Sequence, residues 1–94
     1  MADARLARAG MVMIVTVDRG SAVPPYQQIA ADLRARIESG EIQPGSALPS
    51  VSQIVGEYGV AKLTAQKALR LLVADGLARM VRGWGTFVVE QPEQ

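Results

Sequence analysis

Apolar residues recur at helical spacing in three successive stretches of the chain. Tyr26, Ile29, Ala30, Leu33 and Ile37 fall at i, i+3, i+4, i+7 and i+11, which is one apolar stripe. That spacing predicts a first helix opened by Pro25, a residue suited to the first turn, and ended by Gly40 as the C′ residue. The connector "EIQPGSALPS" carries a Pro44-Gly45 turn signal, with Leu48 as its expected buried anchor. Ser50 starts a second helix: Gln53, three residues on, completes a capping-box pattern. Val51, Ile54 and Val55 supply its apolar face, and Tyr58-Gly59 stops it. The third helix is expected over residues 61–75, ending at Gly76. On it, Ala61, Ala65, Ala68, Leu69 and Leu72 share one broad face, while Lys62, Leu63, Gln66, Lys67 and Arg70 occupy the other. Two short helices across a tight glycine turn are the signature of a helix-turn-helix.

After Gly76 the period changes from helical to alternating. "LARMV" and "TFVVE" flank "RGWG", two strands around a glycine-containing turn, which predicts a β-hairpin. At the other end, the Val- and Ile-rich "VMIVTVD" reads as a strand closed by the turn residues of "DRGS". The predicted class is mainly α with a small β-hairpin: a strand, three helices and a β-wing, a winged helix-turn-helix over residues 11–90. Residues 1–10 are expected to be a loosely ordered arm, and 91–94 a disordered tail.

Composition narrows the chemistry. Ninety-four residues suit one small domain, and the 49% apolar content favours a folded chain over a disordered one. There is no cysteine and no histidine, so disulfides, most zinc sites and the commonest general base are all missing. The acids are scattered from Asp3 to Glu93, with no clustering that suggests catalysis. No enzyme activity, no cofactor and no metal are expected. The apolar run Met11 to Val17 is too short to span a bilayer, and "DRGSAVPP" after it is a poor cleavage site for a signal peptide. A cytoplasmic protein with no membrane association is the expectation.

Net charge is only +1, but its distribution is uneven. Between Val60 and Thr86, Lys62, Lys67, Arg70, Arg79 and Arg82 face Asp75 alone, a net of +4. Between Tyr26 and Gly59, Arg34 and Arg36 face Asp32, Glu38, Glu41 and Glu57, a net of −2. Such asymmetry suits a chain with one anion-facing surface, although a solvated helix face gives the same count.

Five ordered motifs add a family resemblance. "PYQQIA", "PGSALPS", "GVAKLTAQKAL", "DGL" and "GWGTFV" resemble the DNA-binding domain of the GntR transcription regulators. That family's pattern runs from a Tyr-x-Gln-Ile start through a PGxxLPS connector, a GVSR-x-TVR-x-AL recognition helix and EGL to a GxGTFV wing. The likeness runs from Pro25 to Val88, about two-thirds of the chain, and looks most like the subfamily with short C-terminal regions.

The resemblance implies a role for each matching residue. Ser50 would cap the second helix and present its hydroxyl and the helix N-terminus to a phosphate, or cap alone. Lys62 stands at the family's first arginine and would meet a phosphate or a guanine edge. Thr64 matches the family's threonine and would bond the backbone. Gln66 replaces the second arginine, the one expected to read a base. Lys67 and Arg70 are open to either DNA contact or plain solvation. Leu63 on the polar face suits a thymine methyl or a second subunit equally. In the wing, Arg82 would enter a minor groove or pair with a phosphate, and Gly83 and Gly85 let the backbone approach closely. Trp84 stands where the family carries a charged or polar residue. It would pack on the wing's base, touch the minor groove, or mark a protein contact.

Three positions depart from the family pattern: Ser52 replaces an arginine, Ala61 the capping serine, and Gln66 an arginine. Glutamine favours adenine where arginine favours guanine, so a site shifted toward A·T and a flatter salt dependence are expected.

The resemblance implies a sequence-specific repressor on double-stranded DNA, with helix 61–75 in the major groove and the wing at 82–86 on the minor groove or backbone. Twofold operators imply a homodimer. Only "VEQPEQ" follows the wing, so no fused small-molecule effector domain is expected unless the chain is a fragment. The competing expectation is a winged-helix protein-interaction module with weak DNA binding.

Overall fold

A computed structural model describes residues 17–90. Three helices, α1 (Pro25–Glu38), α2 (Val51–Tyr58) and α3 (Lys62–Ala74), precede an antiparallel hairpin of β1 (Ala78–Val81) and β2 (Gly85–Val88). This is the winged helix-turn-helix expected from the apolar spacing. The arm at 1–10, the tail at 91–94 and most of the expected first strand lie outside the described residues. Val17 and Asp18, the described end of that strand, adopt no regular structure. The Asp18 amide donates to Gln28 Oε1 at 2.8 Å instead of to a sheet ladder, while Val17 packs on the core.

The helix boundaries follow from their caps. Pro25 occupies the first turn of α1, where its missing N–H costs nothing. Ser50 and Gln53 form a reciprocal capping box: the Gln53 amide donates to Ser50 Oγ at 3.0 Å, and the Ser50 amide to Gln53 Oε1 at 2.8 Å. Gly59 ends α2 at φ +66°, a left-handed conformation that favours glycine.

The core is built where the three stripes meet. Ile29, Leu33, Ile54 and Leu72 are completely enclosed, and Ala65 and Ala68 of α3 are equally buried. Those small residues let α1 and α2 both approach α3 closely. Leu48 is buried, as its place in the connector suggested. Ala61 is a correction. It was placed on the buried face, but α3 starts one residue later and Ala61 is its exposed N-cap with ψ 157°. An extended residue does not share the helix's angular phase, so the stripe does not include it.

The connector also holds more structure than a turn. Ala47 bridges Phe87; the Leu48 amide donates to the Thr86 carbonyl at 2.8 Å and the Val88 amide to the Ser46 carbonyl at 2.9 Å. It therefore lies along β2 as a third, minimal strand. Pro44 and Pro49 bracket it, which is tolerated because an edge segment need not donate at every position. Among the described residues, no helix is long and apolar enough to cross a membrane.

Candidate nucleic-acid interface

The helix-turn-helix is tied to α1 at its base. Tyr58, the last residue of α2, is buried, and its hydroxyl donates to Asp32 Oδ2 on α1 at 2.6 Å. Arg36 pairs with the same carboxylate at 3.2 Å. Burial, then the Asp32 hydrogen bond and charge, push the phenol above its ordinary range, with Arg36 pulling the other way. At the turn itself, Arg19 Nη2 donates to the Gly59 carbonyl at 2.6 Å. A cation there complements the negative end of α2.

On α3 the expected polar face is present. Lys62, Leu63, Lys67 and Arg70 are exposed, and Leu63 remains 60% accessible despite being apolar. Thr64 and Gln66 are half-buried, nearer the edge where α3 meets the body. Ala61 offers no side-chain cap, so the amides of the first turn lack the partner that a serine would supply. Lys67 Nζ lies 5.4 Å from the centroid of the Tyr26 ring, within cation–π range. That contact places the amine beside the α1 N-terminus.

Ser50 and Ser52 are exposed at the N-terminus of α2. Because Ser50 Oγ accepts from the Gln53 amide, its own proton remains available to an outside acceptor. The wing tip is a third projection. Trp84 donates its amide to the Val81 carbonyl at 2.8 Å, closing the turn over Arg82 and Gly83. Gly83 (φ +83°) and Gly85 (φ +121°) take conformations that L side chains rarely adopt. Arg82, Gly83, Trp84 and Gly85 are all exposed. The candidate residues thus form one face of α3 and two separate projections, not a single enclosed site.

Ion pairing sharpens the charge asymmetry. Arg34 of α1 pairs with Asp75, and Arg36 with Asp32 and Glu41. Lys62, Lys67, Arg70, Arg79 and Arg82 are all exposed, and among the described residues none has an acidic partner within salt-bridge distance. Both cations between Tyr26 and Gly59 are held in ion pairs, and the uncompensated positive charge belongs to α3 and the wing. The described residues hold no group of three or more acids that could bind a metal ion.

The partners of Arg19, Arg34 and Tyr26 are not visible in the sequence. Arg19 and Arg34 act across 40 and 41 positions, and no local spacing signals such contacts. Tyr26 had a visible stripe position, but its partner on α3 did not.

The sequence pattern of the family described as bacterial regulatory proteins, gntR family, matches residues 25–88. Over 68 residues the chain is 43% identical to the mannosyl-D-glycerate transport/metabolism system repressor MngR of Escherichia coli (strain K12), covering 72% of this chain and 28% of MngR. Over 74 residues it is 36% identical to the HTH-type transcriptional repressor NagR of Bacillus subtilis (strain 168), covering 79% of this chain and 30% of NagR. The chain therefore spans less than a third of the length of these curated relatives. Among solved structures, AraR(DBD) in complex with operator ORX1 matches with a TM-score of 0.76 at 30% identity, covering 81% of this chain and 96% of that one.

Proposed function

The chain belongs to the gntR family of bacterial regulatory proteins, and we propose that it is a sequence-specific DNA-binding transcription regulator that represses by occluding a promoter. In this reading α3 enters the major groove. Lys62 meets a phosphate or guanine edge, Gln66 reads a base, and Leu63 faces a thymine methyl. The α2 N-terminus at Ser50 and Ser52 lies against a phosphate, and the wing, Arg82 to Gly85, meets the minor groove or backbone. Thr64 and Lys67 contribute backbone contacts at the edge of the face. A homodimer on a twofold operator fits one reading helix per half-site, and the cytoplasm is the compartment where it meets DNA. Catalysis has no part in the reading.

The observation that carries it is the distribution of unpaired charge. Asp75, the single acid between Val60 and Thr86, is held by Arg34, and five exposed basic side chains lack acidic partners among the described residues. An exposed surface with that charge attracts a polyanion and steers its approach. The test is a fluorescence titration of the protein with the region upstream of its own gene, repeated with Lys62→Ala and Gln66→Ala. A salt-sensitive complex that either change weakens supports the reading; no complex at low salt would count against it.

A further inference from the structure

The wing ends in a feature that a phosphate-contacting loop does not need. Trp84 is 78% exposed, and burial of an aromatic side chain is among the largest apolar gains a chain can make. Its two neighbours in sequence, Gly83 and Gly85, carry no side chain, and a Cβ built on either meets nothing within 4 Å. The indole therefore has no side chain on either sequence neighbour beside it, and most of its surface faces solvent. Arg82, also exposed, sits beside it without an acidic partner among the described residues.

We propose that Trp84 is a minor-groove wedge: it inserts partway between two base pairs and bends the operator. The proposal rests on the DNA-binding reading above and adds a bending activity to it. A minor groove is about 6 Å wide, so it admits one flat ring edge-on and excludes a helix or a crowded loop. The bare flanks let the ring reach the groove floor without a neighbouring side chain striking the groove walls. Arg82 supplies a cation for the phosphates and groove edge flanking the opened step. Apolar side chains that enter this groove unstack a base step and kink the duplex toward the major groove. Pyrimidine–purine steps yield most easily, so the wedge selects such a step beneath the wing.

The indole also forms one wall of a shallow groove on the hairpin's outer face, with Arg79, Val81, Phe87, Val89 and Glu90. Arg79 and Glu90 give that groove one charge of each sign, so its net charge does not draw phosphates, and the wedge places DNA at the tip. A protein partner seated there is the outcome that the test must separate.

Trp84 is the chain's only tryptophan, and its fluorescence reports the tip directly. The experiment uses the full chain and duplexes that it selects from a randomised pool, labelled at both ends for energy transfer. On saturation with duplex, acrylamide quenching of Trp84 is expected to fall severalfold, and the duplex ends to approach each other. Trp84→Ala should weaken binding on the order of tenfold and leave the ends apart. Trp84→Lys should recover much of the affinity at low salt without recovering the bend. A stiff A-tract in place of the pyrimidine–purine step should weaken the wild type and should not weaken Trp84→Ala. A bound complex whose Trp84 is quenched as readily as in free protein, or a Trp84→Ala complex bent like the wild type, overturns the wedge while the DNA-binding reading stands. Protection of Trp84 that grows with protein concentration in the absence of DNA overturns it in favour of a protein contact. Failure to bind any duplex at low salt overturns both readings together.

Discussion

Arg34 of α1 is ion-paired with Asp75, the C-cap residue of α3. A carboxylate at that end adds to the negative pole of the helix, and the guanidinium offsets both. The two side chains are 40% and 37% exposed, so the pair adds at most about 1 kcal/mol to stability. Its larger effect is on the field around α3. Arg34→Ala is expected to slow association with DNA at low salt, whereas Asp75→Asn leaves it equal or faster, each with a small change in melting temperature. Stopped-flow fluorescence over a salt series measures this. Equal rates in Arg34→Ala and wild type would deny the pair any electrostatic role.

The proposed contacts of Lys62 (phosphate or guanine edge) and Arg82 (minor groove or backbone) are separated by salt dependence: each one that meets a phosphate makes its own contribution. Each alanine variant should lower the slope of log K against log salt by about 0.9, and the double variant by about twice that. Anisotropy titrations of a labelled duplex read the slope. A variant that loses affinity at unchanged slope acts through something other than a phosphate.

The helix N-caps predict a stability gain. Ala61 caps α3 from an extended backbone and offers no hydrogen bond, while Ser50 makes the full capping box on α2. Ala61→Ser should raise stability by about 1 kcal/mol and the melting temperature by about 4–8 °C for a domain of this size. Thermal melts followed by circular dichroism decide it; an unchanged or lower midpoint would mean that the α3 amides are already satisfied.

Tyr58 couples stability to alkaline pH. Its phenol is held above the ordinary value near 10, so the folded state binds the proton more tightly than the unfolded chain. That contribution is complete below about pH 10 and is lost as pH climbs beyond it. Tyr58→Phe should cost about 1 kcal/mol at neutral pH, because Asp32 loses its donor, and should decline less than wild type above pH 10. Urea midpoints measured across that range test the difference. Parallel declines would remove Tyr58 as the titrating group.

These residues also mark how far the sequence can be read. The three helices were legible because Ile29, Leu33, Ile54, Ala65 and Leu72 sit at helical spacing and Ser50 and Gln53 lie one turn apart. The hairpin followed from alternation around Gly83 and Gly85. On α3, Lys62, Leu63 and Lys67 are exposed as spacing alone suggests, but Gln66 is half-buried and Ala61 left the buried face. Ala61 depends on where the helix begins, which periodicity fixes only to within a residue or so, and Gln66 lies beside the buried Ala65 at the border of the two faces. Contacts across long sequence separation were not legible: Arg34 with Asp75, Arg19 with the Gly59 carbonyl, Lys67 over Tyr26. The strand-like pairing of Ala47 with Phe87 was hidden because the segment between Pro44 and Pro49 is too short to show alternation.

Selection of duplexes from a fully randomised pool shows whether α3 reads DNA through the residues it carries. The wild type is expected to enrich a twofold motif with adenine at the position Gln66 faces, because glutamine pairs bidentately with adenine at about 1–3 kcal/mol of discrimination. Gln66→Ala should lose preference at that position alone, and Gln66→Arg should shift it to guanine. An unenriched pool, or a strict guanine opposite the wild-type Gln66, would contradict the account.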